Sequence, residues 1–378
     1  MKKVVIAIDS FKGCLPSAEA GKAAAEGIRS VYPECEVICL HIADGGEGML
    51  DVLIMATNGQ EVPISAHDPL MRWRNTYYGI SENGETAFIE MASISGLPLV
   101  PPERRNPMLT TTYGTGEIIR DALERGCRNF IIGIGGSATN DAGLGMLQAL
   151  GFRFSDKEGK EVGTGRGEVL IKVAHIDSTC VHPALNSCRF TVACDVQNPF
   201  YGPEGAAYVF APQKGADREM VEALDAGLQN FAEVIRHTTG KDISHHPGAG
   251  AAGGMGGSLL AFLNAELKPG IQLMLEALDF SNKIKSADLI ITGEGKADRQ
   301  TLMGKVPSGI LAEARKQNIP VILLAGNIED SDELQQAGFE GVFSVNPPFI
   351  SLEEAMRPEV ARKNIQQTVE VYLQEIND

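Results

Sequence analysis

Five short apolar runs lie near the two ends of the chain, and a loop and a helical pattern follow each of them. The runs occupy residues 4–8, 36–42, 287–292, 320–324 and 341–345. Apolar runs of this length are typical of strands that are buried on both faces of a parallel sheet. Since strands that alternate with helices form βαβ units, we predict an α/β fold in which both chain ends build one parallel-sheet, Rossmann- or flavodoxin-like domain.

The middle of the chain has a different pattern. Residues 74–80 and 86–91 are extended stretches separated by an Asn-Gly pair, which is typical of a hairpin. In addition, 378 residues exceed the roughly 250 to 300 at which a single core usually splits. We therefore predict a discontinuous parallel α/β domain of residues 1–84 and 283–378, an inserted mixed α/β domain of residues 85–282, and an active site in the cleft between them.

The composition restricts the possible partners. The formal net charge of −16 argues against nucleic-acid and anionic-membrane binding, because a polyanion is repelled over most of such a surface. No stretch approaches the roughly 18 apolar residues of a membrane span. Seven cysteines, an odd number without a C-x-x-C pair, fit a reduced, cytoplasmic chain better than a disulfide framework. Any phosphate site must therefore depend on local cations and backbone amides.

A strand-to-helix junction is the first candidate binding element. Residues 130–134 predict a strand and residues 143–150 predict a helix. The turn between them contains Gly135, Gly136, Ser137, Thr139, Asn140 and Asp141. Unpaired N–H groups at such a junction attract anions, and glycines let an anion approach without meeting a Cβ. A tight turn without a ligand would use the same residues, so both interpretations stay open.

Residues 247–257 are all small apart from one proline and one methionine. This composition is typical either of a flexible linker or of backbone that passes very close to another group, such as nucleotide phosphates. Linkers are usually enriched in serine and charge, and this segment leads directly into an apolar helix start at 258–263. We therefore favour close approach, with Gly253 and Gly254 as candidate nucleotide contacts.

Charged side chains follow several of the predicted strands. Lys12, after the first strand, could hold a phosphate or a carboxylate, or could be a solvated lysine. Asp44, after the second strand, could bind Mg²⁺ or orient substrate hydroxyls, or could cap the next helix. Asp195 ends a predicted strand at 190–193 and is a candidate general base or metal ligand, with an Asx turn before Pro199 as the alternative.

The loop after the strand at 287–292 concentrates carboxylates and cations. Glu294 and Asp298 could ligate Mg²⁺, because hard cations prefer carboxylate oxygens. Lys296 could neutralise charge on a transferring phosphoryl group. Salt bridges among these residues on a surface loop are the alternative interpretation.

Motifs in a fixed order run through the whole chain. They are Asp9-Ser10-Phe11-Lys12, ADGGEG at 43–48, YGTGE at 113–117, IGIGGSATND at 132–141, CDVQNPF at 194–200, PQKGA at 212–216, PGAGAAGGMG at 247–256 and TGEG at 292–295. Together they resemble the type-1 glycerate kinase family essentially from end to end. So many ordered motifs are far more specific than any single glycine loop.

The resemblance implies ATP-dependent phosphorylation of D-glycerate on the 2-hydroxyl, giving 2-phospho-D-glycerate and ADP, with ATP and Mg²⁺ as cofactors. It also implies a two-domain α/β fold. A 3-phosphorylating glycerate kinase and a non-enzymatic sensor of phosphorylated metabolites are the alternatives. The expected partners are glycerate and ATP, without nucleic acid or membrane, and the expected state is a monomer or homodimer.

Each candidate residue then has an expected role. No Walker G-x-x-x-x-G-K-[ST] sequence is present, so ATP must be held another way. The expected ATP contacts are Gly135, Gly136, Ser137, Thr139, Asn140, Gly253 and Gly254. The other expected roles are charge stabilisation by Lys12 and Lys296, orientation or deprotonation of the hydroxyl by Asp195, substrate contact by Ser10, Asp44, Gly45 and Gly46, and Mg²⁺ positioning by Glu294 and Asp298.

Overall fold

The computed structural model describes residues 1–43 and 48–376. Its strands are β1 (Lys3–Ile8), β2 (Glu36–His41), β3 (Gln60–His67), β4 (Trp73–Ile80), β5 (Thr86–Glu90), β6 (Asn129–Gly133), β7 (Arg153–Ser155), β8 (His175–Asp177), β9 (Arg189–Ala193), β10 (Glu266–Lys268), β11 (Leu289–Ala297), β12 (Val321–Ile328) and β13 (Gly341–Ser344). Its α-helices are α1 (Ser17–Val31), α2 (Met49–Ala56), α3 (Ala92–Ser95), α4 (Tyr113–Glu124), α5 (Leu144–Ala149), α6 (Ala206–Phe210), α7 (Arg218–Thr239), α8 (Met255–Phe262), α9 (Gly270–Ala277), α10 (Phe280–Lys283), α11 (Val306–Arg315), α12 (Ser331–Gln336), α13 (Leu352–Ala355) and α14 (Pro358–Glu375). Among the helices of these residues, none is long and apolar enough to cross a membrane.

The chain divides into two compact units. The first unit comprises Met1–Asp44 and Ile271–Asp378, and the second comprises Gly45–Gly270. These divisions differ from the predicted domain boundaries at 84/85 and 282/283. The difference at the first boundary arises because β3 pairs with β4, and β4 with β5, so that this stretch extends the sheet of the second unit.

The sheet of the first unit is parallel throughout, with the strand order β13-β12-β11-β1-β2. β1 pairs with β11 in the register Val4↔Leu289. Residues Val4 to Ile8 are almost completely buried, as expected for an apolar strand that is covered on both faces. Helices α1 and α14 pack against each other through core residues that include Ile28 and Val369. The predicted parallel-sheet domain built by both chain ends is confirmed.

The second unit contains a mixed six-stranded sheet with the order β10-β9-β6-β5-β4-β3. Its β3, β4 and β5 are antiparallel neighbours, whereas β5, β6, β9 and β10 run parallel. Phe130 of β6 and Phe190 of β9 stack in its core with ring centroids 4.7 Å apart. The predicted mixed α/β fold of the middle of the chain is confirmed.

Parallel pairing positions the candidate site residues. Within the first unit, β1, β11, β12 and β13 end at one edge of the sheet. Within the second, Gly133 at the end of β6 pairs with Ala193 at the end of β9. The loops that follow these two strands, 134–141 and 194–200, therefore leave the same edge of the second sheet.

Candidate active site

A cavity of about 330 Å³ lies at the carboxyl ends of the parallel strands of the first unit. This is the edge at which open α/β sheets bind their ligands. Its polar and charged lining includes Asp9, Ser10, Lys12, Glu294, Lys296 and Lys305. One cavity is thus lined by four of the predicted site residues, Ser10, Lys12, Glu294 and Lys296.

Glu294 is the most buried of these predicted residues. Its backbone lies within β11, opposite Ala325 of β12, and only 7% of the residue is exposed. The Thr301 hydroxyl donates to Glu294 Oε1 at 2.6 Å, and Lys305 Nζ lies 3.7 Å from Oε2. Burial raises the pKa of this carboxyl, although the Thr301 hydroxyl and the Lys305 ammonium act to lower it. Glu294 is therefore a carboxylate held in a fixed position on the cavity wall.

Asp298 and Lys296 form an ion pair at the rim of this region. Lys296 Nζ lies 3.5 Å from Asp298 and 2.9 Å from Glu329, and half of its side chain is exposed. Asp298 also caps the following 3₁₀ turn, since its Oδ1 accepts from Gln300 N at 2.8 Å. Burial acts to raise the pKa of Asp298, but this hydrogen bond and the nearby lysines lower it overall. The alternative of local salt bridges is therefore observed for these two side chains, and their roles toward Mg²⁺ and phosphate stay predictions.

The carboxylates of the first unit fit a Mg²⁺ ion that arrives with a nucleotide. In the part of the chain that the structure describes, no group of three or more His, Cys, Asp or Glu side chains is arranged to hold a metal. Mg²⁺ usually keeps several waters and is bound through one or two carboxylates together with substrate phosphates. Glu294 and the largely buried Asp9, which both line the cavity, supply two such carboxylates. Asp9 stands at the end of β1, a position that could have marked it in the sequence.

The glycine turn after β6 combines an exposed start with a buried end. Gly135 and Gly136 are exposed, whereas Ser137, Thr139 and Asn140 are buried. The Thr139 hydroxyl and both polar atoms of the Asn140 carboxamide have no hydrogen-bond partner among the described residues. Buried polar groups without a partner each cost about 1–3 kcal/mol, so these atoms are candidates for contact with a ligand or water.

Asp141 fixes the shape of this turn. Its fully buried carboxylate accepts hydrogen bonds from the backbone N–H and the hydroxyl of Thr112, both at 2.8 Å, and from the N–H groups of Gly143 and Gly145 at 3.2 Å. Burial raises the pKa of Asp141, and these four donors act against that increase. The residue is therefore structural, and it anchors the start of α5.

The glycine-rich segment 247–257 packs against the same turn. Gly253 and Gly254 have φ values of +68° and +92°, and an ideal Cβ on Gly253 would lie 2.1 Å from Thr139 O. Ala142 N donates to Gly253 O at 3.0 Å. The segment is thus held by close backbone contact and is not a flexible linker. The two predicted ATP-binding loops are neighbours.

Lys214 lies beneath the turn and was not among the site residues predicted from the sequence. It is 3% exposed, and its ammonium donates to Ser137 Oγ and to Thr139 O, both at 2.7 Å. Burial lowers its pKa to about 7, against the opposing effect of the Asp141 charge. Its position in the PQKGA motif at 212–216 is the sequence signal that could have identified it.

Asp195 follows β9 at the edge from which the glycine turn also leaves. The residue is exposed, and its Oδ1 accepts from Gly270 N at 2.8 Å. An exposed carboxylate with a fixed orientation fits the predicted role as a proton acceptor. Asp44, Gly45 and Gly46, predicted to contact the substrate, lie outside the described residues.

Comparison with known proteins agrees with this assembly of motifs. A model of the glycerate kinase family matches residues 4–377, which is nearly the entire chain. The chain belongs to the glycerate kinase family. The resemblance proposed from the ordered motifs is confirmed.

Related proteins of the family cover the chain almost completely. Glycerate 2-kinase of Escherichia coli strain K12 is 47% identical over 356 residues, which cover 94% of this chain and 93% of that protein. Glycerate kinase of Bacillus subtilis strain 168 is 47% identical over 354 residues, covering 93% and 92%. A crystal structure described as glycerate kinase 2 from Salmonella typhimurium LT2 is 43% identical, with a TM-score of 0.89 over 100% of this chain and 98% of that one.

Proposed function

We propose that this member of the glycerate kinase family transfers the γ-phosphoryl group of ATP to the 2-hydroxyl of D-glycerate, giving 2-phospho-D-glycerate and ADP. The observation that carries the proposal is the end-to-end match to the family and to the E. coli protein named glycerate 2-kinase. We also propose that the enzyme acts in the cytoplasm, as a monomer or homodimer. The odd number of cysteines, without a C-x-x-C pair, supports a reducing compartment.

In the second unit, the glycine loops are assigned to the phosphates of ATP. The exposed Gly135 and Gly136 let an anion approach the backbone, and the side chains of Thr139 and Asn140, which have no partner within residues 1–43 and 48–376, offer further hydrogen bonds. The predicted contacts of Ser137, Gly253 and Gly254 belong to the same group of loops. Asp195 is assigned to the glycerate hydroxyl, whose proton it accepts as the phosphoryl group is transferred.

In the first unit, the cavity is assigned to charge stabilisation. Lys12 and Lys296 offset negative charge on the transferring phosphoryl group, and Ser10 donates to a substrate oxygen. Glu294, with Asp298 nearby, would hold Mg²⁺, which when bound neutralises phosphate charge. The predicted substrate contacts of Asp44, Gly45 and Gly46 are kept in this proposal.

The reaction is tested by incubating the protein with ATP, Mg²⁺ and D-glycerate and measuring ADP release. Phosphorus and carbon NMR of the product then locate the phosphate. We expect ADP release that depends on glycerate and a phosphate on carbon 2. A phosphate on carbon 3 would overturn the regiochemistry, and the absence of ADP release would overturn the kinase proposal.

Asp195→Asn tests the proton acceptor. Loss of a general base typically costs about 10²- to 10⁴-fold in turnover. The asparagine keeps an oxygen that can accept from Gly270 N, so the secondary structure seen by circular dichroism should not change. Asp177→Asn, at an exposed aspartate of the same unit, is the matched control and should leave turnover unchanged. Wild-type turnover in Asp195→Asn would exclude this assignment.

A further inference from the structure

Lys214 has a buried amino group, and none of the carboxylates that the structure describes forms an ion pair with it. The Pro212–Lys214 turn and Gly215 direct it inward, and Gly215 has φ +96° and lies so close to Arg105 that an ideal Cβ would be 2.3 Å from Arg105 O. Among the described residues, its ammonium bonds only to Ser137 Oγ and Thr139 O. Asp141 is the charged residue whose field acts to raise the pKa of Lys214, and its carboxylate accepts hydrogen bonds from Thr112, Gly143 and Gly145.

Burying an ammonium group in this way is costly unless something compensates for the lost water. Two of its three N–H donors are satisfied by neutral oxygens of the turn. The adjacent Thr139 hydroxyl and Asn140 carboxamide also lack partners among the described residues. The turn that Lys214 contacts therefore contains unused hydrogen-bonding groups at its buried end and the exposed backbone of Gly135 and Gly136 at its start.

Net charge makes such a cation important for any anionic ligand. The protein carries a formal charge of −16, which repels anions over most of its surface. Lys12 and Lys296 are exposed and therefore well screened by water and salt. A charge buried in a medium of low dielectric constant acts more strongly on a nearby anion than an exposed charge does.

We propose that Lys214 is the positioning residue of the 135–140 turn and supplies the positive charge with which this turn binds an anionic oxygen of a substrate. The anion rests on the exposed Gly135–Gly136 backbone, while Lys214 holds Ser137 and Thr139 in place behind it. The ligand group is a nucleotide phosphate or the carboxylate of the hydroxy acid, since both present the same oxygens. The inference rests on the proposed function, which assigns this turn to ATP.

Proton linkage gives a direct readout of this role. With a pKa of about 7 in the free protein, Lys214 is largely neutral at about pH 8. An anion bound at the turn favours the charged form, so binding takes up a proton. A lysine that only filled space would not couple ligand binding to proton uptake.

The experiment is titration calorimetry at about pH 8 in two buffers of different ionisation enthalpy. A non-hydrolysable ATP analogue with Mg²⁺ and D-glycerate are titrated separately. We expect the wild type to take up at least half a proton per site with one of the two ligands, which also identifies the group that occupies the turn. Lys214→Met should lose this uptake and bind the same ligand at least tenfold more weakly. Lys172→Met, at an exposed lysine of the same unit, is the control and should match the wild type.

Two outcomes would overturn the inference: no proton uptake by the wild type with either ligand, or unchanged uptake in Lys214→Met. If thermal unfolding shows that Lys214→Met does not fold, the proton uptake of the wild type alone decides whether the inference stands. Glycerate-dependent ADP release is measured on the same wild-type sample. Turnover without proton uptake refutes the role of Lys214 and leaves the kinase function standing, whereas absent turnover refutes the kinase function itself.

Discussion

Gly253→Ala is the sharpest test of the contact between the two glycine loops. Gly253 has φ +68°, and an added Cβ would lie 2.1 Å from Thr139 O and 2.6 Å from the Asn140 Cα. Both neighbours are backbone atoms, so the clash cannot be relieved by a side-chain rotation. An alanine in the left-handed region costs roughly 1–2 kcal/mol. Overpacking typically adds about 1–3 kcal/mol, which gives a total loss of about 2–5 kcal/mol in the free energy of unfolding.

Gly240→Ala provides the matched control. Gly240 ends α7 in the same unit with φ +75°, but no atom lies within 4 Å of its ideal Cβ. Its replacement should therefore cost only the conformational penalty of roughly 1–2 kcal/mol. The difference between the two variants, about 1–3 kcal/mol, measures the close approach of Gly253 to the turn.

Urea unfolding measures both changes, because the free energy of unfolding falls linearly with urea concentration. Trp73 is the single tryptophan of the sequence and lies in β4 of the second unit, where its ring contacts that of His67 at a centroid distance of 4.1 Å. Its fluorescence therefore reports on the unit that carries both substitutions. Equal unfolding midpoints for the two variants would refute the steric reasoning. Binding of the ATP analogue, measured in parallel, should weaken in Gly253→Ala and not in Gly240→Ala.

Three further predictions concern charge. The folded pKa of Lys214, about 7, lies below the unfolded value of 10.5, so between these pH values the unfolded chain binds one more proton than the folded chain. The free energy of unfolding of the wild type should therefore rise with pH by up to about 1.4 kcal/mol per pH unit. Equal slopes for the wild type and Lys214→Met, measured by urea unfolding at about pH 7 and pH 9, would contradict this. Burial raises the pKa of the Glu294 carboxyl, so the folded protein loses stability as the pH rises from below the unfolded pKa of this group through its folded pKa. Glu294→Gln can still accept from the Thr301 hydroxyl, so this variant should be at least as stable as the wild type in thermal melts at neutral pH. Its turnover should fall about tenfold or more. Chelation with EDTA should abolish turnover, and added Mg²⁺ should restore it. The melting temperature should not change, since the described residues contain no group of three or more side chains arranged to hold a metal. A large decrease in the melting temperature would indicate a structural metal.

Local patterns were sufficient for the fold class. The run at 4–8 became β1 and the run at 36–42 became β2, because apolar residues that must be covered on both faces leave few alternatives to a central parallel sheet. The strand predicted at 287–292 extends to Ala297, since β11 keeps pairing with β12 up to the register Ala297↔Ile328. Glu294 and Lys296 therefore stand on a strand and not in a loop. The glycines of this stretch had indicated that the strand would end, but backbone pairing with β12 continues past them.

Features that depend on distant contacts could not be predicted in this way. The burial of Lys214 arises from Ser137, which is 77 positions away in the chain. The membership of β3 in the second sheet depends on eight residue pairs with β4, although its sequence contains a proline and begins with the polar pair Gln60-Glu61. The Asn140 carboxamide likewise can be recognised as lacking a partner, within the part of the chain that the structure describes, only once the packing around it is known.

The interrupted sheet of the first unit also sets the order of events during synthesis on the ribosome. Val4 of β1 must wait for Leu289 of β11, its partner in the register, and translation at roughly 5–20 residues per second places about 15 to 60 seconds between them. The continuous segment Gly45–Gly270 can fold within that interval. A nascent chain that stalls late would thus carry one finished unit and an apolar first strand whose β11 edge is still unpaired, which makes that edge of β1 the place at which chaperones should engage and truncated products should aggregate.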